Sequence, residues 1–437
     1  MSKIHLLIAL LCLSICATES YAQQSYVLSI EQLLALADEN NKTLRVENST
    51  VIEAQQAINV AKNKYLPDID ISLSASYLGN GYLLDRDFTN GQNVNMPHFG
   101  NNFAIKASQI IYGGGAISNS VAMANLRKEM AIANREATRS RVRFLLIGFY
   151  LDLYKLQNTL NIYDHSIELA QTVINNTQAR KDAGVALQND VSRFKLQLKN
   201  LELAKKRVEN AIEILNYDLV TMLGLPTNTY IQPDTTILNQ SLPIENLEYW
   251  QEYALNNAHS INQSSIAVEI GKCNEQLARA ERRPIITLFA ANHFDGPITI
   301  EVPTIDKNFN HWHVGIGISF KLSSLYKTNK SIKRAQLNTE LYRYRQDEVT
   351  EQINIDIQAD YTKYLEAYDE IVTLEQSVKL ATENYNIIEN RYRNGIALVT
   401  DMLDASNQLL DAELQLINAR INVIFNYYKL KNSSGNL

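Results

Sequence analysis

The feature that most constrains this chain is that it is written twice. The stretch DAGVALQNDVSRFKLQLKNLEL (182–203) matches RNGIALVTDMLDASNQLLDAEL (393–414), pairing Gly184 with Gly395 and Asp190 with Asp401 at an offset of about 211. Upstream, ALADENNKT and NKYLPDIDISLSASY (35–77) match YALNNAHS and ERRPIITLFAANHF (253–294), pairing Pro67 with Pro284 at about 217. The difference of about six residues falls in a stretch expected to be loop, since 79–101 is longer than 295–310. Whatever one copy folds into, the other must fold into as well.

Each copy reads helix, strand, loop, strand, long helix, turn, helix. The expected layout is a first repeat over 23–225, with strands near 68–78 and 102–112 and a long helix over 116–180. A Pro-bearing linker over 226–244 follows. The second repeat covers 245–432, with strands near 285–294 and 312–322 and a long helix over 326–393, and 433–437 is a tail.

The strands alternate with period two. Ile69, Ile71, Leu73, Ala75 and Tyr77 oppose Asp68, Asp70, Ser72, Ser74 and Ser76. In the second copy, Ile286, Leu288, Ala290 and Phe294 form one row, and Trp312, Val314, Ile316, Ile318, Phe320 and Leu322 another, against Gly315, Gly317, Ser319 and Lys321. About ten residues with one apolar face suits a transmembrane β-strand. Alternation alone equally suits soluble hairpins with one face on a core. Aromatics near the strand ends (Tyr65, Tyr77, Tyr112 and Trp312) resemble the girdles of a membrane interface.

The helices weigh toward the membrane reading. The long runs contain no proline and little glycine, and each would reach roughly 100 Å. Ile371, Leu374, Val378, Ala381, Tyr385, Ile388 and Tyr392 repeat at 3-4 spacing, as do Leu160, Tyr163, Ile167, Ala170 and Ile174, which is a coiled-coil seam. The shorter helices add end to end to similar lengths. The expected assembly is a long antiparallel helical cylinder with strands at one end.

Composition narrows the function. A formal charge of −6 argues against nucleic-acid binding. Residues 1–22 read as a signal peptide: Lys3, the apolar run IHLLIALLCLSICA, and Ser20-Tyr21-Ala22 as the cleavage site. Cys12 and Cys16 lie inside it without a lipid-attachment context, so the exported chain keeps one thiol, Cys273, and no internal disulfide. No other stretch has the ~18 apolar residues of a spanning helix. Four strands cannot close a membrane barrel, which needs about eight, and open edges in lipid are costly, so copies must assemble around an axis.

Over its whole mature length the chain resembles the TolC-type outer-membrane efflux proteins. The resemblance rests on the duplicated layout, AKNKYLPDIDISLSASY, SQIIYGGGAIS (108–118) and above all GIALVTDMLDASNQLLDAELQLINARINV (395–423). It implies a mainly α protein with β: a homotrimer with a twelve-stranded barrel in outer-membrane lipid, and a long periplasmic helical barrel that opens on docking to an adaptor and an inner-membrane pump. Such a protein is a passive exit duct for efflux or type I secretion, without cofactor or enzymatic activity. The alternative is a soluble periplasmic coiled-coil adaptor or spacer.

Candidate site residues follow from the repeat. Asn189 and Thr400 are expected to cap helices, with Asp190 and Asp401 in the first turn, where the dipole favours an acid. Asp404 aligns with Arg193, so it has no copy. Around a three-fold axis Asp401 and Asp404 would stack as carboxylate rings favouring cations and open to cation block. The resemblance implies that acids here line the periplasmic entrance, that Asp190 and Tyr392 join neighbouring hairpins, and that Gly184 and Gly395 make the hairpin turns. A third linking position carries Ala397 where an arginine is expected; Arg180, Arg391 and Arg393 are the candidate replacements. His311 and His313 share one strand face, with His293 as a further candidate neighbour, and read as barrel-mouth polar residues in preference to a metal site. YGGGA (112–116) reads as a strand-to-helix junction. Lys106 and Lys321 lie on the predicted lumen face.

Overall fold

In the computed structural model, residues 24–234 and 242–437 are described; the signal-peptide reading and part of the linker lie outside them. The chain runs β1 (Gln24–Leu28), α1 (Ile30–Asn40), α2 (Lys42–Lys62), β2 (Asp68–Tyr77), β3 (Gly81–Leu83), β4 (Gln92–Val94) and β5 (Phe99–Tyr112). There follow α3 (Ala116–Asp182), α4 (Gln188–Leu223), β6 (Thr229–Pro233), α5 (Leu247–Asn257), α6 (His259–Ala280), β7 (Ile285–Gly296), β8 (Phe309–Ser319), α7 (Ser324–Arg393) and α8 (Val399–Ser433). α3 and α7 hold 67 and 70 residues without interruption, as their lack of proline permits. Among the described residues no helix is long and apolar enough to cross a membrane.

Two compact units divide the chain, each drawing segments from both repeats. The first contains the described part of Met1–Glu47, Arg135–Ile261 and Thr350–Leu437. Its larger core gathers Leu28, Leu33, Leu146, Ile147, Leu219, Leu223 and Ile231, all fully buried. A parallel pair, β1 with β6, sits on this core in the register Tyr26↔Ile231. Tyr150 pins both strand ends. Its hydroxyl donates to the Leu28 carbonyl at 2.7 Å and accepts from the Asp234 amide at 2.8 Å. Burial pushes that phenol up to about 12. A second core joins α3, α4, α7 and α8 through Val173, Ile174, Phe194, Leu198, Tyr385, Tyr392, Met402 and Leu409. The 3-4 seam read from the sequence supplies Ala170, Ile174, Tyr385 and Tyr392 to it.

The second unit contains Asn48–Asn134 and Asn262–Val349. It holds an antiparallel sheet in the order β2-β5-β7-β8. The register places Leu73 opposite Phe103 and Phe103 opposite Phe294, and Ile286 opposite Ile318. One face is therefore mainly apolar, interrupted by Gln109, Asn292 and Asn310, and it is open: Ile71, Leu73, Trp312 and Ile318 are 69%, 78%, 75% and 72% exposed. Burying one such aliphatic contributes about 1.5–3 kcal/mol, so a face of six would forgo on the order of 10 kcal/mol in water. β8 lies nearer the N-terminus than the alternation of 312–322 suggests. Phe320 to Leu322 enter the turn before α7, where the Ser324 amide bonds the Lys321 carbonyl at 2.8 Å. The strand-to-helix junction needs glycine at Gly114: its φ is +63°, and a Cβ there would meet the Arg283 Cβ at 2.6 Å. Arg283 closes the junction by donating to the Gly114 carbonyl at 2.9 Å.

Candidate functional site

Two helical hairpins, α3–α4 and α7–α8, end in turns built alike. Gly184 and Gly395 have φ of +75° and +76°. The Val185 amide bonds the Arg180 carbonyl at 2.9 Å, and the Ile396 amide bonds the Arg391 carbonyl at 2.8 Å. This is the Schellman closure of a helix C-terminus, which demands a left-handed residue.

The next helices do not start where the sequence suggests. The N-caps are Leu187 and Leu398, both extended, so Asn189 and Thr400 lie inside the first turn. The shift places Asp190 and Asp401 third in their helices. There each carboxylate accepts the N-cap amide: Leu187 at 3.0 Å and Leu398 at 2.9 Å. The aspartate thus performs the reciprocal half of a capping box, and a hydroxyl or amide cap three residues earlier is dispensable. Asp404, one turn further along α8, is exposed and accepts from the Gln408 amide at 2.8 Å. It holds no helix end. Arg193, its counterpart, is exposed too.

Tyr392 is buried, and its contacts run to α3 and α4. Its hydroxyl shares a 2.9 Å hydrogen bond with Thr177, and its ring meets Phe194 edge-on at 5.6 Å. Arg180 lies with its guanidinium 5.0 Å above the ring and donates to the Tyr392 carbonyl. Asp190 bonds its own helix start, so the two linking candidates engage different partners. Of the three arginines, Arg180 is half-buried on Tyr392, while Arg391 and Arg393 are exposed. Ala397 packs against the hairpin core.

Four apolar side chains at these turns escaped the sequence reading. Val185, Leu187, Ile396 and Leu398 are each about two-thirds exposed (65%, 69%, 67% and 69%). The signal was available: G-V-A-L and G-I-A-L alternate directly after the turn glycines. In the sheet unit, Tyr77 and Tyr112 end β2 and β5, Tyr65 lies in the turn before β2, and Trp312 sits inside β8 on the apolar face. Lys106 pairs with Asp70 across β2 and β5 on the polar face.

A duplicated helical chain whose four-stranded sheet leaves a mainly apolar face open has the build of an outer-membrane channel-tunnel. The sequence pattern of the outer membrane efflux protein family matches residues 33–225 and 250–436, and the chain belongs to that family. It is 22% identical to outer membrane protein TolC of Escherichia coli (strain K12), over 99% of this chain and 86% of that protein. Among solved structures, the outer-membrane channel OprN superposes with a TM-score of 0.77 at 17% identity, over 93% of this chain and 90% of that one. VceC of Vibrio cholerae superposes with a TM-score of 0.76 at 16% identity, over 93% and 96%. The protein is thus an outer-membrane efflux channel, and its structural neighbours are channels as well.

Proposed function

We propose that three copies assemble into one duct: a twelve-stranded barrel in the outer membrane continued by a periplasmic helical tunnel. The observation that carries this reading is the sheet. Its outer strands, β2 and β8, are free edges, and its apolar face is open. Unpaired edges are prohibitively costly in lipid, so β8 of one copy pairs with β2 of the next until the ring closes. A soluble adaptor or spacer would leave the same face in water.

The duct is a passive exit for efflux or type I secretion, driven by an inner-membrane pump and without catalysis of its own. Asp404 and Asp401 line the periplasmic entrance, Asp401 doubling as a helix start. Asp190 and Tyr392 hold the hairpins at that entrance, with Arg180 clamping Tyr392 from inside the same chain. The exposed pairs at the turns, Val185 with Leu187 and Ile396 with Leu398, supply an apolar surface for the periplasmic adaptor.

Unheated gel electrophoresis and planar-bilayer recording test this. The expected result is a heat-sensitive oligomer band from the outer-membrane fraction and discrete channels blocked by divalent cations, with block weakened in Asp404→Asn. Recovery as a soluble monomer would sink the proposal.

A further inference from the structure

Between Asp306 and Glu340 the chain carries no acid, but it holds Lys307, Lys321, Lys327, Lys330, Lys333 and Arg334. The last four lie near the start of α7, and all four are exposed. Among the described residues none of the four forms an ion pair. We infer that the start of α7 binds the phosphate headgroups of anionic phospholipid in the periplasmic leaflet of the outer membrane.

Nothing inside the helix accounts for this run. α7 has no acid in its first turn, and Lys327 stands there against the helix dipole. Lys327 with Lys330, Lys330 with Lys333, and Lys330 with Arg334 are like-charge neighbours on the helix surface, which weaken a helix. The other repeat shows that such a helix does not need them. α3, the matching helix, starts at Ala116 and has no lysine or arginine before Arg127. The packing of α7 is made elsewhere on its circumference, by Ser324, Thr328, Ile332 and Thr339, which are buried.

Position selects lipid over a soluble anion. β8 leads into α7 through Leu322, Leu325 and Tyr326, which are 69%, 44% and 67% exposed. They bring open apolar surface to the helical end of the sheet, and a tyrosine there suits a membrane–water boundary. Lys330 and Lys333 follow one and two turns beyond Tyr326 on the same helix face, roughly 6 and 10 Å farther along the axis. The polar layer of a bilayer is roughly 5–8 Å deep on each side, so lysine side chains rooted there reach its phosphates. The opposite edge of the sheet shows the same order: Lys62 and Lys64 stand on the helical side of Tyr65, and all three are exposed. The helical tunnel of an outer-membrane efflux channel is periplasmic, so this rim meets the periplasmic leaflet. Clustered lysines beside a membrane surface attract anionic lipid. The site lies within one protomer and rests on the outer-membrane location, not on the number of copies.

The test is native mass spectrometry of the full-length channel in detergent, titrated with phosphatidylglycerol or with zwitterionic phosphatidylcholine as the reference. Phosphatidylglycerol is expected to bind more tightly than phosphatidylcholine by about tenfold or more. Lys327→Gln/Lys330→Gln/Lys333→Gln/Arg334→Gln should lower phosphatidylglycerol affinity by about tenfold or more and leave phosphatidylcholine unchanged. A charge-matched control on α4, Lys195→Gln/Lys199→Gln/Lys206→Gln/Arg207→Gln, removes four other exposed cations and should bind like the unaltered chain. Should the α7 variant fail to fold, Lys330→Gln/Lys333→Gln alone should still lower the affinity by about threefold or more. Glycerol 3-phosphate, the same anion without acyl chains, should not displace the lipid; displacement would make this a site for soluble phosphates and overturn the lipid reading. Equal binding of the two lipids, undiminished affinity in the α7 variants, or an equal loss in the α4 control would each overturn the site. The unheated gel reads the assembly separately: lipid selectivity in a chain that forms no oligomer refutes the duct and leaves the site standing.

Discussion

Arginine placed at Leu73 or at Ser74 should have opposite consequences, and the difference measures which face of the sheet meets lipid. The two residues are neighbours near the middle of β2, a ten-residue strand. Leu73 is 78% exposed and belongs to the row that continues through Phe103 and Phe294. Ser74 looks the other way and pairs with Asn102, which holds Asp295. An arginine on the lipid face near the bilayer midplane costs about 2–4 kcal/mol. A three-fold assembly multiplies this to ~6–12 kcal/mol per barrel, four to nine decades in the folding equilibrium. On the polar face the same side chain stays solvated, beside Asp295. Leu73→Arg should therefore abolish the heat-sensitive oligomer and lower the urea midpoint in lipid vesicles, while Ser74→Arg assembles and alters only conductance. Equal effects, or the reverse order, would refute the assignment of faces and the barrel with it.

Three further outcomes are expected. Asp190→Asn and Asp401→Asn should each cost about 0.3–1 kcal/mol in urea unfolding, because each carboxylate caps a helix start, whereas Asp404→Asn should leave stability unchanged and shift only the current–voltage curve and cation block. Tyr392→Phe should cost about 1 kcal/mol by removing the hydrogen bond to the buried Thr177 hydroxyl, which keeps its own bond to the Val173 carbonyl, lower the melting temperature slightly and raise the open probability in bilayers. At Asp38, burial raises the carboxyl, but hydrogen bonds from Arg139 and Arg143 outweigh it and hold it below the ordinary carboxylate value. A carboxyl depressed on folding stabilises above its unfolded titration point and loses that contribution as pH falls through the folded one. Asp38→Asn should thus lower stability by about 1–2 kcal/mol at neutral pH, with the deficit in melting curves starting to shrink only as pH falls below about 4 and vanishing below the depressed folded titration point.

The parts of the fold legible in the sequence were those written in periodicity. The 3-4 seam ending at Tyr392 and the two-residue alternation of Ile69 to Tyr77 survive translation because burial on one face enforces them. What stayed hidden depends on contacts remote in sequence. Nothing local marks Gln24–Leu28 as the partner of Thr229–Pro233, and the short hairpin of β3 and β4 has no apolar face to announce it. The helix starts were misplaced because asparagine and threonine are good caps in isolation. An aspartate third in the helix performs the reciprocal bond and lets a leucine take the cap. The histidines of the sheet were half visible: the HWH spacing shows two of them, but only the cross-strand register sets His293 opposite His311.

The parallel pair of β1 and β6 also sets an order of events. Gln24 pairs with Thr229, so more than two hundred residues separate the partners. Closing so large a loop is entropically slow, and the pair cannot form until β6 has crossed the inner membrane. Until then Tyr26 and Val27 present an unpaired edge to the periplasm, at the stage when neighbouring copies are also unfinished. The first strand to be exported is among the last able to find its place, and during that interval the nascent chain depends most on whatever escorts it.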